Sequence, residues 1–228
     1  MIKVEQFFEK QTSTYTYIVY EEKSKEAVII DSVYGYTKEY LDYIEENNLN
    51  LKYILETHIH ADHTTDAKNL KDKTSALIGL SKNANTKCQD LYLEEGSVIK
   101  IGKEEIKVLE TFGHTDTCIT YNVSNYLFTG DALLINGSGR TDFQAGDSKL
   151  LYKSIMRMYE FEDSTVIYPA HDYKGNKYST IKEQKENNPR INKDTKLEEF
   201  IEIMENLNLP DPKNIKKAVP ENKICGDV

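Results

Sequence analysis

The chain has 228 residues, 39% hydrophobic and 29% charged, with only 11 Gly and 5 Pro, which excludes a low-complexity or linker-dominated architecture and supplies enough apolar residues for a sizeable core. A formal net charge of −9, from 38 acidic against 29 basic side chains, excludes a nucleic-acid surface, which needs clustered Lys and Arg to release phosphate counterions. A length in this range predicts a single domain, 1–228.

The N-terminal MIKVEQFFEK has no apolar leader core, and no window reaches the ~18 apolar residues of a membrane span. From Thr14, TYTYIVYEE alternates apolar and polar residues, and EAVIID at 26–31 follows after a Lys/Ser turn, which predicts a hairpin. YTKEYLDYIEENNLN at 36–50 places Tyr40, Leu41 and Ile44 at helical spacing and leads into LKYILET, a buried-strand pattern. SALIGL, SVIKI, EIKVLET, TCITYNV and NYLFTG read as short strands, while 67–73 and 83–91 read as helices. DSKLLYKSIMRMYEF at 147–161 predicts an amphipathic helix, STVIYPAH a strand, and TKLEEFIEIMENLN a helix with Leu197, Phe200, Ile201, Met204 and Leu207 on one face. Cys88, Cys118 and Cys225 are odd in number and widely spaced, which predicts reduced thiols and a cytoplasmic protein.

The chain owns five histidines, and THIHADH at 57–63 holds three of them. At spacing two on an extended backbone, His58 and His60 leave one side together with Asp62, while His63 points elsewhere. One loop can then feed two adjacent pockets. The other two histidines, His114 in GHTD and His171 in PAHD, and Asp131 in TGD, also stand where a predicted strand gives way to a turn. Imidazole and carboxylate are ligands for zinc or iron, so a metal site is expected.

THIHADH followed by GH, GD and AH resembles the metallo-β-lactamase superfamily, which implies an α/β fold: an αββα sandwich of two mixed sheets with a metal cleft at one edge. In its hydrolase branches, such as glyoxalase II, His58, His60 and His114 would hold one metal, Asp62, His63 and His171 a second, and Asp131 would bridge them. TGDALLINGSGRTDFQAGD (129–147), IYPAHDY (167–173), NNPRI (187–191) and IMENLNLPDPKNIKKAVPENKICG (203–226) instead resemble the persulfide dioxygenases, also called sulfur dioxygenases.

That resemblance implies one Fe(II) per chain on His58, His114 and Asp131, with His60, Asp62, His63 and His171 as a second-site remnant. Such a triad leaves about three coordination positions for a sulfur donor and O2. The implied reaction takes a thiol persulfide, O2 and water to thiol and sulfite, with His171 or Asp172 orienting water or protons. Tyr173 and Arg190 match the positions that hold the thiol carrier, normally glutathione, and Arg140 stands as a substrate contact or as an ion-pair partner of Asp142 or Asp147. The sequence departs from the family pattern at Thr117, where GHTDGC is usual, and at Ser138, often cysteine. Cys118 is expected to be a buried, inert thiol.

The resemblance further implies a homodimer. No rhodanese or flavodoxin-like segment is recognised, so sulfur is expected to arrive by diffusion or on a separate protein. The alternative function is a two-metal thioester hydrolase of the glyoxalase II kind, in which two ions share a hydroxide. A non-catalytic metal- or sulfur-binding module is disfavoured, because it has no need of an open ligand sphere.

Overall fold

The computed structural model describes residues 1–212 and 214–228. Its first half builds a six-stranded sheet. β1 (Ile2–Glu9), β2 (Thr14–Glu21) and β3 (Glu26–Ile30) are antiparallel, and β4 (Asn50–Leu55), β5 (Leu77–Ser81) and β6 (Leu91–Leu93) continue in parallel. The parallel connections are made by α1 (Thr37–Glu46), α2 (Ala67–Thr74) and a short 3₁₀ turn at Lys82–Ala84.

The second sheet is a meander of β7 (Val98–Ile101), β8 (Glu104–Glu110), β9 (Ile119–Val123) and β10 (Tyr126–Gly130), extended by parallel β11 (Val166–Pro169) and short β12 (Ser179–Thr180). α3 (Ser148–Met158), α4 (Ile181–Asn187), α5 (Leu197–Glu205) and α6 (Ile215–Asn222) complete the chain.

Alternation sorts the side chains into layers. One face of each sheet meets the other in a shared core of Tyr17, Val19, Val28, Leu55, Val108, Tyr121 and Phe128. The opposite face of the first sheet packs Ile29, Ile54 and Ile78 against Tyr40, Ile44 and Leu70 of α1 and α2. The opposite face of the second packs Leu127 and Ile167 against Leu151, Ile155 and Phe200 of α3 and α5. The result is the αββα sandwich of two mixed sheets that the motifs imply.

Two expectations fail. The stretch 83–91 is not a helix: Asn85 is left-handed at φ 47°, Thr86 N and Oγ1 both donate to Gln89 Oε1, and β6 begins at Leu91. Side-chain bonds of this kind offer the backbone an alternative to the helical ladder. Nor are all three thiols free, because Cys88 and Cys225, 137 residues apart in sequence, form a disulfide. That removes the argument from reduced thiols to a reducing compartment. Cys118 is buried as expected, and burial pushes its thiol up to about 12. No helix among the described residues is long and apolar enough to cross a membrane.

Candidate metal centre

Four chain segments meet where the two sheets share a rim. β4 releases the loop 56–66, the β8–β9 turn carries His114, β10 stops one residue before Asp131, and β11 stops two residues before His171. The rims are tied by Ile119 N donating to Thr57 O at 2.8 Å, Tyr15 N donating to Ala170 O at 2.7 Å, and a bridge between Thr14 and His171. Gly130 sits at φ 52°, and a Cβ there would fall 2.6 Å from Thr57 Oγ1, so the TGD turn requires glycine.

The ligand loop is built on a buried acid that the motif did not mark. Asp31, immediately after β3, accepts from Thr57 N at 2.7 Å and Thr57 Oγ1 at 2.9 Å, and its Oδ1 lies 3.1 Å from His60 Nε2. Glu56 Oε2 lies 3.4 Å from the same nitrogen. Burial alone would depress His60, but Asp31 and Glu56 outweigh it and hold its pKa well above the usual range. His58 shows the opposite balance: burial, with His60 and His114 beside it, holds it well below the usual range, as the neutral imidazole a metal takes.

The hydrogen bonds also fix which nitrogens face inward. His114 Nδ1 donates to the Arg140 carbonyl at 2.6 Å, so Nε2, 3.5 Å from Asp131 Oδ2, is free to ligate. Thr57 Oγ1 gives its proton to Asp31 and accepts from His58 Nδ1 at 3.0 Å, which leaves His58 Nε2 free. His171 Nδ1 donates to Ser13 O at 3.2 Å and turns Nε2 toward Asp62 Oδ2 at 3.5 Å and Asp131 Oδ1 at 3.7 Å.

His58, His114 and Asp131 bring one ligand atom each within 4.8 Å of one another, and His60, Asp62 and His63 form a second such group beside them. The chain bends at 57–58 and again at 61–63. Alternation therefore breaks after Ile59: His63 does not point elsewhere but lies with its ring 4.3 Å from that of His60 and its Nδ1 3.0 Å from Asp62 Oδ2. Asp131 Oδ1, His60 Nδ1 and His63 Nε2 are buried without a hydrogen-bond partner. A buried lone pair without a partner is costly unless a cation takes it: Asp131 Oδ1 fits a metal at the His58, His114 and Asp131 group, and the two imidazole nitrogens belong to the group beside it.

Outside the ligands opens a cleft of about 580 Å³, within the ~300–1,000 Å³ typical of small-molecule sites. Arg140, Tyr173 and Arg190 all line it. Arg140 is engaged: Nε and one Nη donate to the two carboxylate oxygens of Asp142 at 2.6 Å each, and the other Nη donates to Pro210 O at 2.7 Å. Asp147, the other candidate partner, instead caps α3 through Lys149 N and Leu150 N.

Arg190 donates to the Ser138 carbonyl and has no acidic partner among the described residues; its burial lowers its pKa, the mark of a cation short of counter-charge. Tyr173 is 74% exposed, stacked at 9° on His171. Asp172 spends its carboxylate on Lys174 N and Asn176 N at 2.8 and 2.7 Å, so it shapes the turn carrying Tyr173. Thr117 uses its hydroxyl to accept from Ile59 N at 3.1 Å, within the ligand loop.

The metallo-β-lactamase superfamily model matches residues 10–171. Persulfide dioxygenase ETHE1, mitochondrial, from Mus musculus is 40% identical over 99% of this chain and 89% of its own length, and the Homo sapiens protein of that name is equally so. A crystal structure of ETHE1 from Myxococcus xanthus superposes with a TM-score of 0.94, at 42% identity, over 98% of this chain and 99% of its own. The chain belongs to the persulfide dioxygenase family of the metallo-β-lactamase superfamily. A Dictyostelium discoideum protein named glyoxylase B2 shares 30% identity over 88% of this chain and 82% of its own, so the persulfide dioxygenase reading is favoured over the glyoxalase II alternative.

Within that family the site's less visible parts here are Asp31, Glu56, Thr57 and Thr117. Thr57 opens the THIHADH motif and Thr117 marks the departure from GHTDGC, whereas Asp31 shows only as an acid closing the buried run AVII and Glu56 only as the residue before the motif.

Proposed function

We propose that this chain oxidises a low-molecular-weight thiol persulfide such as glutathione persulfide, RSSH + O2 + H2O giving RSH and sulfite, with one Fe(II) held by His58, His114 and Asp131. The observation that carries the reading is the convergence of two imidazoles and one carboxylate at the head of a cleft, in a chain 40% identical over 99% of its length to persulfide dioxygenases. When bound, iron supplies the redox chemistry with O2 that zinc lacks, through positions that three protein donors leave open.

The chain's own groups do the rest. The Arg140 carbonyl and the Thr57 hydroxyl fix the rings of His114 and His58. His171 Nε2, between Asp62 and Asp131, is placed to move a proton to or from the reacting sulfur or its water. Tyr173 and Arg190 supply a phenol and a guanidinium without an acidic partner among the described residues for the carrier thiol's polar ends, and Arg140, held by Asp142, lines the same cleft. Asp172 supports Tyr173. The whole chain 1–228 acts as one unit, as a homodimer, in the cytoplasm, where small thiols are abundant.

Protein reconstituted with Fe(II) is expected to consume O2 and release sulfite from glutathione persulfide, and hardly to hydrolyse S-lactoylglutathione. Rapid thioester hydrolysis without O2 uptake overturns the proposal. Arg190→Ala is expected to raise KM for a carboxylate-bearing persulfide about tenfold or more with iron content unchanged, since a charge-assisted hydrogen bond is worth about 1.5–3 kcal/mol. An unchanged KM removes Arg190 from the carrier pocket.

A further inference from the structure

The loop that carries His58, His60, Asp62 and His63 is gripped from outside by α6, an element the reaction does not use. At the end of the helix Asn222, 2% exposed, donates from Nδ2 to the carbonyls of His60 and His63, both at 2.9 Å, and accepts from Thr65 N at 2.8 Å. At its start Asn214 Nδ2 donates to Asp62 O at 2.6 Å, and between them Thr64 Oγ1 donates to Glu221. Three carbonyls of the ligand loop are therefore satisfied by α6 and its N-cap, more than 150 residues away in sequence. Asp31 and Thr117 hold the first half of the loop, at Thr57 and Ile59, whereas the 60–65 half takes these bonds from α6 and its leading Asn214 and moves when that element moves.

The same helix is bolted down by the Cys88–Cys225 disulfide three residues beyond Asn222. Cys225 also accepts at its carbonyl from Lys68 N at 2.9 Å and is itself 1% exposed, whereas Cys88 is only partly buried. Disulfides in cytoplasmic proteins are usually transient and catalytic or redox-sensing. Cys88 is the less buried half of the bond and so the half a thiol would attack, and the reaction proposed above releases thiol.

We propose that α6 is a clamp on the ligand loop, with Asn222 as its positioning residue and the Cys88–Cys225 disulfide as a latch that low-molecular-weight thiols open. Opening takes two thiols: the first thiolate attacks Cys88 Sγ and expels Cys225 as thiolate, and the second displaces Cys88 from the mixed disulfide, giving RSSR and two protein thiols. The protein gains two electrons and two protons, and the thiols supply them. With the latch open, Asn222 holds the loop less of the time, and metal retention falls. The iron and the thiol-opened latch rest on the proposed function; the clamp does not.

The experiment uses full-length, iron-loaded protein in four forms: oxidised, thiol-reduced, Cys88→Ser, and Asn222→Ala. Three quantities are read well below the melting temperature: hydrogen exchange at the Thr65 amide, the rate of iron loss to an Fe(II) chelator, and the electron paramagnetic resonance spectrum of the nitric oxide adduct. Reduction and Cys88→Ser are each expected to speed Thr65 exchange about tenfold and iron loss several-fold, and to broaden the adduct spectrum. Cys88→Ser opens the latch with no added thiol to compete for the metal.

Asn222→Ala is expected to lose loop protection with the disulfide intact, to ignore reductant, and to show no further loss when combined with Cys88→Ser, the non-additivity of two parts of one device. Thr65 protection that is the same in oxidised protein and in Cys88→Ser overturns the latch, as does finding both cysteines reduced in protein purified in air. Unchanged protection in folded Asn222→Ala overturns the clamp. Loop loosening in a protein that purifies with two zinc ions supports the clamp while overturning the iron reading.

Discussion

His58→Ala, His114→Ala and Asp131→Ala are each expected to purify with almost no iron, whereas His63→Ala keeps close to one per chain. A facial triad missing one member offers two protein donors, too few to compete with water and buffer for a labile divalent ion. His63 contributes nothing to that triad: its Nδ1 is bonded to Asp62, its ring lies against His60, and it groups with those two residues rather than with His58, His114 and Asp131. In a two-metal hydrolase the same residue would ligate the second ion, so its loss would halve the metal and remove the shared hydroxide.

His60→Ala stands between these cases. It leaves the triad intact but takes away the imidazole that stands between the buried Asp31 and Glu56 carboxyl groups, so two acids lose a shared partner. Iron retained at reduced stability is the expected result. The measurement is metal per chain by elemental analysis on variants prepared in parallel, with circular dichroism to show that each is folded. If His63→Ala loses as much metal as His58→Ala, the mononuclear assignment fails whatever the tail resembles.

The parts of the fold legible in the sequence are those where one face is buried against one neighbour. β7 and β8 alternate because one side meets the other sheet and the other faces solvent, and α3 and α5 show their stripes for the same reason. β1 is an edge strand buried fully only at Ile2 and Glu9, so IKVEQFFE gives no period. α6 carries Pro220 inside it, a residue that argues against a helix until tertiary contacts override it.

At the site, residue types declared the ligands but not their directions. The extended-chain rule fails for His63, because the chain bends at 57–58 and again at 61–63. Asn222 and the Cys88–Cys225 pairing were invisible, because each acts on a partner more than 130 residues distant and neither residue type announces it.

Gly139→Ala is expected to weaken iron binding about 10–100-fold, the range typical of residues that orient metal ligands, without replacing a ligand. Gly139 N donates to Asp131 O at 2.6 Å, which folds the NGSGR segment back over the TGD turn. A Cβ there would stand 2.4 Å from that carbonyl oxygen and 2.7 Å from both Cγ and Nδ1 of His114. Two rigid groups would have to give way, a backbone carbonyl and an imidazole already pinned to Arg140 O, and overpacking of this kind usually costs about 1–3 kcal/mol. Because both obstacles belong to metal-bearing residues, the displacement falls on His114 and Asp131 together. Gly137→Ala is the matched control: its nearest neighbours lie 4.0 Å away, at Arg190 and Leu134, so it should leave iron affinity unchanged. Chelator competition on both variants decides the matter. Equal affinity for Gly139→Ala and Gly137→Ala would mean that the turn over His114 yields at no cost, and that Asp131 and His114 are not held in the rigid frame described above.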